Sequence, residues 1–228
     1  MSLVVSEVFG PTFQGEGPSL GRRAGFVRLG RCDLECAWCD TPYTWDWARY
    51  DPAAELTSRG VDDVLTDIVA MDVPMLVVTG GEPLLQQRGL VELVGGAKAR
   101  GMRVEVETNG MHEPVPALVD LVDQWNVSPK LANSGMPEAR RLRPLVLSAF
   151  DATGNAVFKF VATSPADLDE IASLVDAAGL HNIWVMPEGV DAATLMARAE
   201  ELAEAVAARG WNLTTRLHIL IWGDRRGV

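Results

Sequence analysis

Three side chains carry the reactive chemistry of this chain. Cys32, Cys36 and Cys39 are the only cysteines among 228 residues, and all fall within the single stretch Cys32-Asp-Leu-Glu-Cys36-Ala-Trp-Cys39. Thiolates are soft ligands, and three of them on one tight loop can hold three irons of a cubane cluster while the fourth iron keeps no protein ligand. A closed zinc site would need a fourth Cys or His close by, and the next histidine along the chain is His112. A disulfide would leave one cysteine over. The iron-sulfur reading is favoured, with zinc and unrelated core cysteines as its alternatives.

The elements that must position these thiols follow from pattern. Strands are predicted at Leu3 to Phe9, Ala24 to Gly30, Met75 to Val78, Met102 to Val106, Trp125 to Val127, Ala156 to Val161, Ile183 to Val185 and Leu217 to Trp222. Helices are predicted at Asp62 to Met71, Leu84 to Arg100, Val115 to Asp123, Pro165 to Ala178 and Ala192 to Arg209, with Ser164 and Asp191 as N-caps. Strand alternating with helix makes an α/β fold with a parallel sheet and right-handed crossovers. Tyr43 to Arg59 is aromatic and irregular, and reads as a surface excursion or an interface involving Trp45 and Trp47.

The chain length suits one large α/β domain over residues 1–228, and no linker divides it. A formal net charge of -11 argues against a broad nucleic-acid face and favours small-molecule chemistry. The start carries no basic leader and no later run is long enough to span a membrane, so no membrane partner is expected and the cytoplasm is the expected location.

Polar and glycine-rich residues follow nearly every predicted strand: the cysteine loop, Thr79-Gly-Gly-Glu-Pro83, Glu107-Thr-Asn-Gly110, Ser128-Pro-Lys130 and Met186-Pro-Glu-Gly189. Carboxyl-end loops of a parallel sheet share one rim, where ligands bind. Ahead of them, Phe13-Gln-Gly-Glu-Gly17 is a loop whose glycines let backbone approach a ligand. Arg28 stands inside an apolar strand, where a charge needs an anionic partner: either an internal Glu or Asp, or a substrate carboxylate. In Thr79 to Pro83, two glycines expose backbone groups, and Glu82 adds an acceptor for an ammonium group.

The cysteine spacing, with an aromatic before the last cysteine, and the downstream Gly80-Gly-Glu-Pro83 together resemble the radical S-adenosylmethionine (radical SAM) enzymes. The resemblance implies a partial (β/α)6 TIM-like barrel, a 4Fe-4S cluster on Cys32, Cys36 and Cys39, and SAM bound at the iron without a protein ligand. There SAM yields a 5'-deoxyadenosyl radical that takes hydrogen from a substrate. Phe13-Gln-Gly-Glu-Gly17, Cys39-Asp40-Thr41, Glu107-Thr-Asn-Gly110 and Ser128-Pro-Lys130 further resemble the 7-carboxy-7-deazaguanine synthase family, nearly end to end from Val5. That family converts 6-carboxy-5,6,7,8-tetrahydropterin to 7-carboxy-7-deazaguanine with loss of ammonia, and regenerates SAM, in 7-deazapurine and queuosine biosynthesis.

The resemblance assigns roles residue by residue. Trp38, Cys39, Asp40, Gly81, Glu82, Ser128, Pro129, Lys130, Met186, Pro187, Glu188 and Gly189 fall to SAM. Phe13, Gln14, Gly15, Glu16, Arg28 and Thr79 fall to the pterin, with Arg28 on its 6-carboxylate and Val228 as a further substrate contact. Thr41 falls to a Mg2+ ion; read without the resemblance, it is a helix N-cap. The family often shows Gln-x-His-Lys near the C-terminus, where this chain has Leu217-His-Ile-Leu-Ile-Trp222 and Trp222 stands in the histidine's place; Met186 replaces a common Gln. A homodimer and a flavodoxin or ferredoxin reductant are implied, with Arg22, Arg23, Arg31 and Arg49 as a basic docking patch. The competing functions are a glycyl-radical-enzyme activase and, outside catalysis, an iron-sulfur electron carrier or zinc-binding module.

Overall fold

The computed structural model describes residues 1–228. Its strands are β1 (Ser2–Phe13), β2 (Arg23–Leu29), β3 (Thr57–Gly60), β4 (Met75–Gly80), β5 (Arg103–Thr108), β6 (Gln124–Val127), β7 (Ala156–Ala162), β8 (Ile183–Pro187) and β9 (Asn212–Leu213). They form one sheet in the order β3-β1-β2-β4-β5-β6-β7-β8-β9. The hairpin strand β1 runs antiparallel to β2 and β3, and every pairing from β2 to β9 is parallel. The sheet curls without closing. Its six substantial parallel strands, β2 and β4 to β8, are the partial (β/α)6 barrel that the family resemblance implies.

Side chains alternate across each strand, so one parity faces the helices and the other the barrel interior. The outer parity is apolar: Val27, Leu29, Leu76, Val78, Val104, Val106, Trp125, Val127, Phe158, Phe160 and Val185 form one core. That core is completed by the apolar faces of the helices Val61–Ala70, Gln87–Lys98, Asp167–Ala178 and Ala192–Ala208. Trp125 is fully buried against Phe150, ring centroids 5.3 Å apart and edge to face, a geometry that adds to the area buried. The inner parity is different in kind: Arg28, Thr79, Glu105, Glu107, Asn126 and Lys159 project into the barrel, where buried polar groups need partners. Glu105 has them, accepting from Arg103, Gln124, Asn126 and Ser19.

Several local expectations change. Leu217–Trp222 is a helix, not a strand, because a short apolar run is compatible with either period. Arg216 O takes the amides of Ile219 and Leu220, and Gly223, at φ +67°, ends the turn. The last strand is instead Asn212–Leu213. Ser164 does not cap its helix; the Asp167 carboxylate takes the amides of Thr163 and Ser164. Asp191 does cap the helix Ala192–Ala208, accepting from Thr194 N at 2.8 Å. Tyr43 to Arg59 contains the short helix Pro52–Glu55 and runs into the edge strand β3, which pairs with β1. The helix Pro144–Asp151, absent from the sequence expectation, supplies Leu147 and Phe150 to the core.

Candidate active site

A cavity of about 510 Å³ opens at the carboxyl ends of the parallel strands. All three cysteines border it, on the loop that follows β2. Leu34, Met111 and Met136 pack around them as a small apolar cluster. Leu34 N donates to Cys32 Sγ at 3.5 Å, and Trp45 Nε1 donates to Cys39 Sγ at 3.3 Å. Burial pushes the Cys32 thiol up to about 12 and raises Cys36 as well, so a cationic group must be present for these sulfurs to ionise. No three His, Cys, Asp or Glu side chains converge on a single ion. Three separated soft donors around one cavity suit a multi-iron cluster better than one zinc.

The glycine loop after β4 locks onto the cysteine loop. Gly81 N donates to Leu29 O, and Glu82 N to Arg31 O. A Cβ on Gly81 would lie 2.0 Å from Arg31 O, so only glycine permits this approach. Gly81 therefore borders the cavity through its backbone. Glu82 does not. Its carboxylate, where the sequence reading expected an acceptor for an ammonium group, is fully buried and accepts from Leu84 N, Thr108 Oγ1 and Asn109 N, so it braces the loop against β5.

Burial raises the Glu82 carboxyl from 4.5 to about 7, against the pull of its three donors. The folded state then holds this proton more tightly than the unfolded chain does. Between about 4.5 and about 7 the Glu82 contribution to stability falls as pH rises, and above about 7 the loss is complete. Urea unfolding followed from about pH 5 to about pH 8 is expected to show this decline in the native chain and a flatter profile in E82Q. Identical slopes would contradict the assignment.

Phe13, Gln14, Gly15 and Glu16 reach the cavity by another route. The loop after β1 leaves at the amino-terminal edge of β2 and folds back across the barrel interior, so these residues line the cavity from below, not from the rim. Gln14 donates to Glu107, Ser19 to Glu105, Gly17 N to Thr214 Oγ1, and Leu217 N to Gly15 O. This loop stitches the hairpin side of the open barrel to the segment after β9. A Cβ at Gly15 would lie 2.1 Å from His218 Nδ1, so a larger residue there must displace the imidazole.

The carboxylate of Glu16 meets Lys159 Nζ and, at 3.2 Å, Arg216 Nε. These cations hold it well below the usual carboxylate range despite burial. Arg216 also donates to Gly189 O at 2.8 Å and pairs with Asp40. Arg28 has the internal carboxylate partner, Nε donating to Glu7 at 2.9 Å, and its side chain borders the cavity. Thr79 Oγ1 donates to Glu107 at 2.8 Å. Val228 borders the same side, and Arg226 behind it pairs with Glu7 and Glu55 and stacks 3.8 Å over Tyr43.

On the opposite side lie Trp38, Ser128, Lys130, Met186 and Glu188. Lys130 Nζ donates to Ser128 Oγ and sits 5.5 Å from the Trp38 ring centroid. Pro129 and Pro187 have the other strand parity and do not line the cavity; neither does Gly189, which serves through its carbonyl. Asp40 and Thr41 do line it. Thr41 precedes the turn Pro42–Thr44 without a side-chain cap bond, and its hydroxyl is 3.7 Å from Cys39 Sγ. The basic patch is divided: β2, about 20 Å long at seven residues, separates Arg22 and Arg23 from Arg31.

Sequence reasoning put Glu107 on a rim loop without giving it a role, and missed Lys159, Arg216 and His218 as cavity residues. Lys159 carried the signal that marked Arg28, a lone charge in an apolar strand. His218, not the residue at Trp222, is the C-terminal imidazole at the cavity; burial lowers its proton affinity.

A radical SAM superfamily model matches residues 27–141. The 7-carboxy-7-deazaguanine synthase of Pyrobaculum aerophilum is 39% identical, covering 98% of this chain and 96% of that protein. The enzyme of the same name from Hyperthermus butylicus is 36% identical, covering 96% and 92%. The crystal structure of QueE from Escherichia coli shares the fold, with a TM-score of 0.72 over 95% of each chain at 24% identity. With its cysteines, glycine loop and polar barrel interior gathered on one cavity, the chain belongs to the radical SAM superfamily and, within it, to the 7-carboxy-7-deazaguanine synthase family.

Proposed function

We propose that residues 1–228 act as one radical SAM domain, a carbon-nitrogen lyase that contracts the ring of 6-carboxy-5,6,7,8-tetrahydropterin to 7-carboxy-7-deazaguanine and releases ammonia. The observation that carries this reading is the convergence of the cysteine loop, the Gly80-Gly81 loop and a buried set of cations on one cavity, in a chain 39% identical to a protein of that name. When bound, the 4Fe-4S cluster and SAM supply the radical that removes a substrate hydrogen. Cys32, Cys36 and Cys39 would hold the cluster.

The chain's own residues bind and orient. Gly81 presents backbone to SAM, while Trp38, Asp40, Ser128, Lys130, Met186 and Glu188 border the SAM side. Arg28 has only Nε committed to Glu7, leaving the rest of its guanidinium fork for the 6-carboxylate, where a bidentate pair is strongest. Phe13, Gln14, Gly15, Glu16 and Thr79 complete the pterin side, with Val228 near them. Thr41 contributes a hydroxyl to Mg2+, a hard cation suited to oxygen ligands. The protein works as a homodimer reduced by a flavodoxin or ferredoxin, and it handles a small molecule without touching nucleic acid.

Anaerobic incubation with SAM, a low-potential reductant, Mg2+ and the carboxylated tetrahydropterin is expected to yield the deazapurine with SAM recovered. Absence of product with an intact cluster would contradict the reading. Omitting Mg2+ is expected to lower turnover, and equal rates with and without it would remove the ion from the account.

A further inference from the structure

The aromatic stretch after the cysteines holds a residue that donates a hydrogen bond to one of them. Trp45 is half-buried. It borders the cavity, and its indole Nε1 donates to Cys39 Sγ at 3.3 Å. An indole N–H can only donate, so the direction of this bond is fixed. The turn that carries it is tied at several points: Trp45 N to Pro42 O, Asp46 N to Pro42 O, Thr44 Oγ1 to Thr41 O, and Arg31 N of the cysteine loop to Thr44 O. The donor is thus held in register with the sulfur by the same loop that carries the sulfur.

We infer that Trp45 sets the reduction potential of the cluster through this N–H···S bond. The inference rests on the cluster reading given above. Reduction adds an electron and makes the thiolate-bound cluster more negative. A fixed donor on one ligand sulfur favours the more negative state, and hydrogen bonds to sulfur are among the factors that set such potentials. Trp45 therefore makes the cluster easier to reduce. Its removal makes the required reductant stronger.

The test is an EPR-monitored redox titration of the reconstituted enzyme, which reads the cluster directly and needs no turnover. W45F keeps a ring of similar shape and removes the donor; W45H retains a ring N–H. W45F is expected to shift the reduction equilibrium about tenfold toward the oxidised form, 59 mV lower for a one-electron couple. W45H is expected to stay nearer the wild-type potential than W45F. W45L serves the same comparison where W45F does not hold its cluster. Wild-type potential in a donor-free variant, or an equal fall in W45H, overturns the proposal. A wild-type protein that shows no cubane signal would instead overturn the cluster reading itself.

Discussion

Replacing Cys36 by alanine abolishes deazapurine formation while the fold remains standing. The loss follows from ligand count: two thiolates cannot hold a cubane that already leaves one iron without a protein ligand. The fold survives because Cys36 sits in a small satellite cluster with Leu34, Met111 and Met136, outside the main core. Truncating one buried sulfur there costs about 1 kcal/mol, on the scale of a buried methylene. Iron content, turnover and urea unfolding measured on one preparation separate the two effects. C36A with wild-type iron and turnover would contradict the ligand assignment, and a collapse of stability would contradict the satellite placement.

R216M is expected to lose about 1–3 kcal/mol of stability, less than the ~3–5 kcal/mol of a fully buried pair, because Lys159 still neutralises Glu16 and Asp40 is partly exposed. Arg216 is 6% exposed and joins three segments: Glu16 below the cavity, Asp40 in the cysteine loop and Gly189 O after β8. Lys159 still neutralises Glu16 in the variant, but Asp40 and the Gly189 carbonyl lose their cation. R216K restores charge without the planar fork, so it recovers only part of the loss. Turnover falls in both variants, because Asp40 adjoins Cys39 and Thr41. The check is the urea midpoint at unchanged m, which reports stability and not a different denatured state. A midpoint shift that, multiplied by the unchanged m, amounts to less than about 0.5 kcal/mol would contradict the clamp.

What the sequence made legible was whatever lies close along the chain. The cysteine spacing, the Gly80-Gly81 loop and the β-branched strands each state their role locally, and strand parity then decides which neighbours face the cavity. Pro129 and Pro187 fail that parity although they stand beside residues that pass it. Pairings between distant segments were not legible. Arg28 could be seen to need an anion, but that it shares Glu7 with Arg226, 219 residues from Glu7, depends on how the tail returns. The glycines of Phe13 to Gly17 mark a loop whose backbone can approach a ligand, but the bonds that carry it under the cavity, from Gln14 to Glu107 and from Gly17 N to Thr214, join segments far apart in the chain. Leu217–Trp222 misled because a six-residue, mostly apolar run does not distinguish helix from strand, and with it went the identity of the cavity histidine, His218.

The measurement closest to the central claim is the EPR spectrum of the reduced, reconstituted protein recorded with and without SAM. Three cysteine ligands and one open iron predict a cubane signal that shifts when SAM is added, and that no longer forms in C36A. A spectrum indifferent to SAM, or a fourth protein ligand on the cluster, would contradict it.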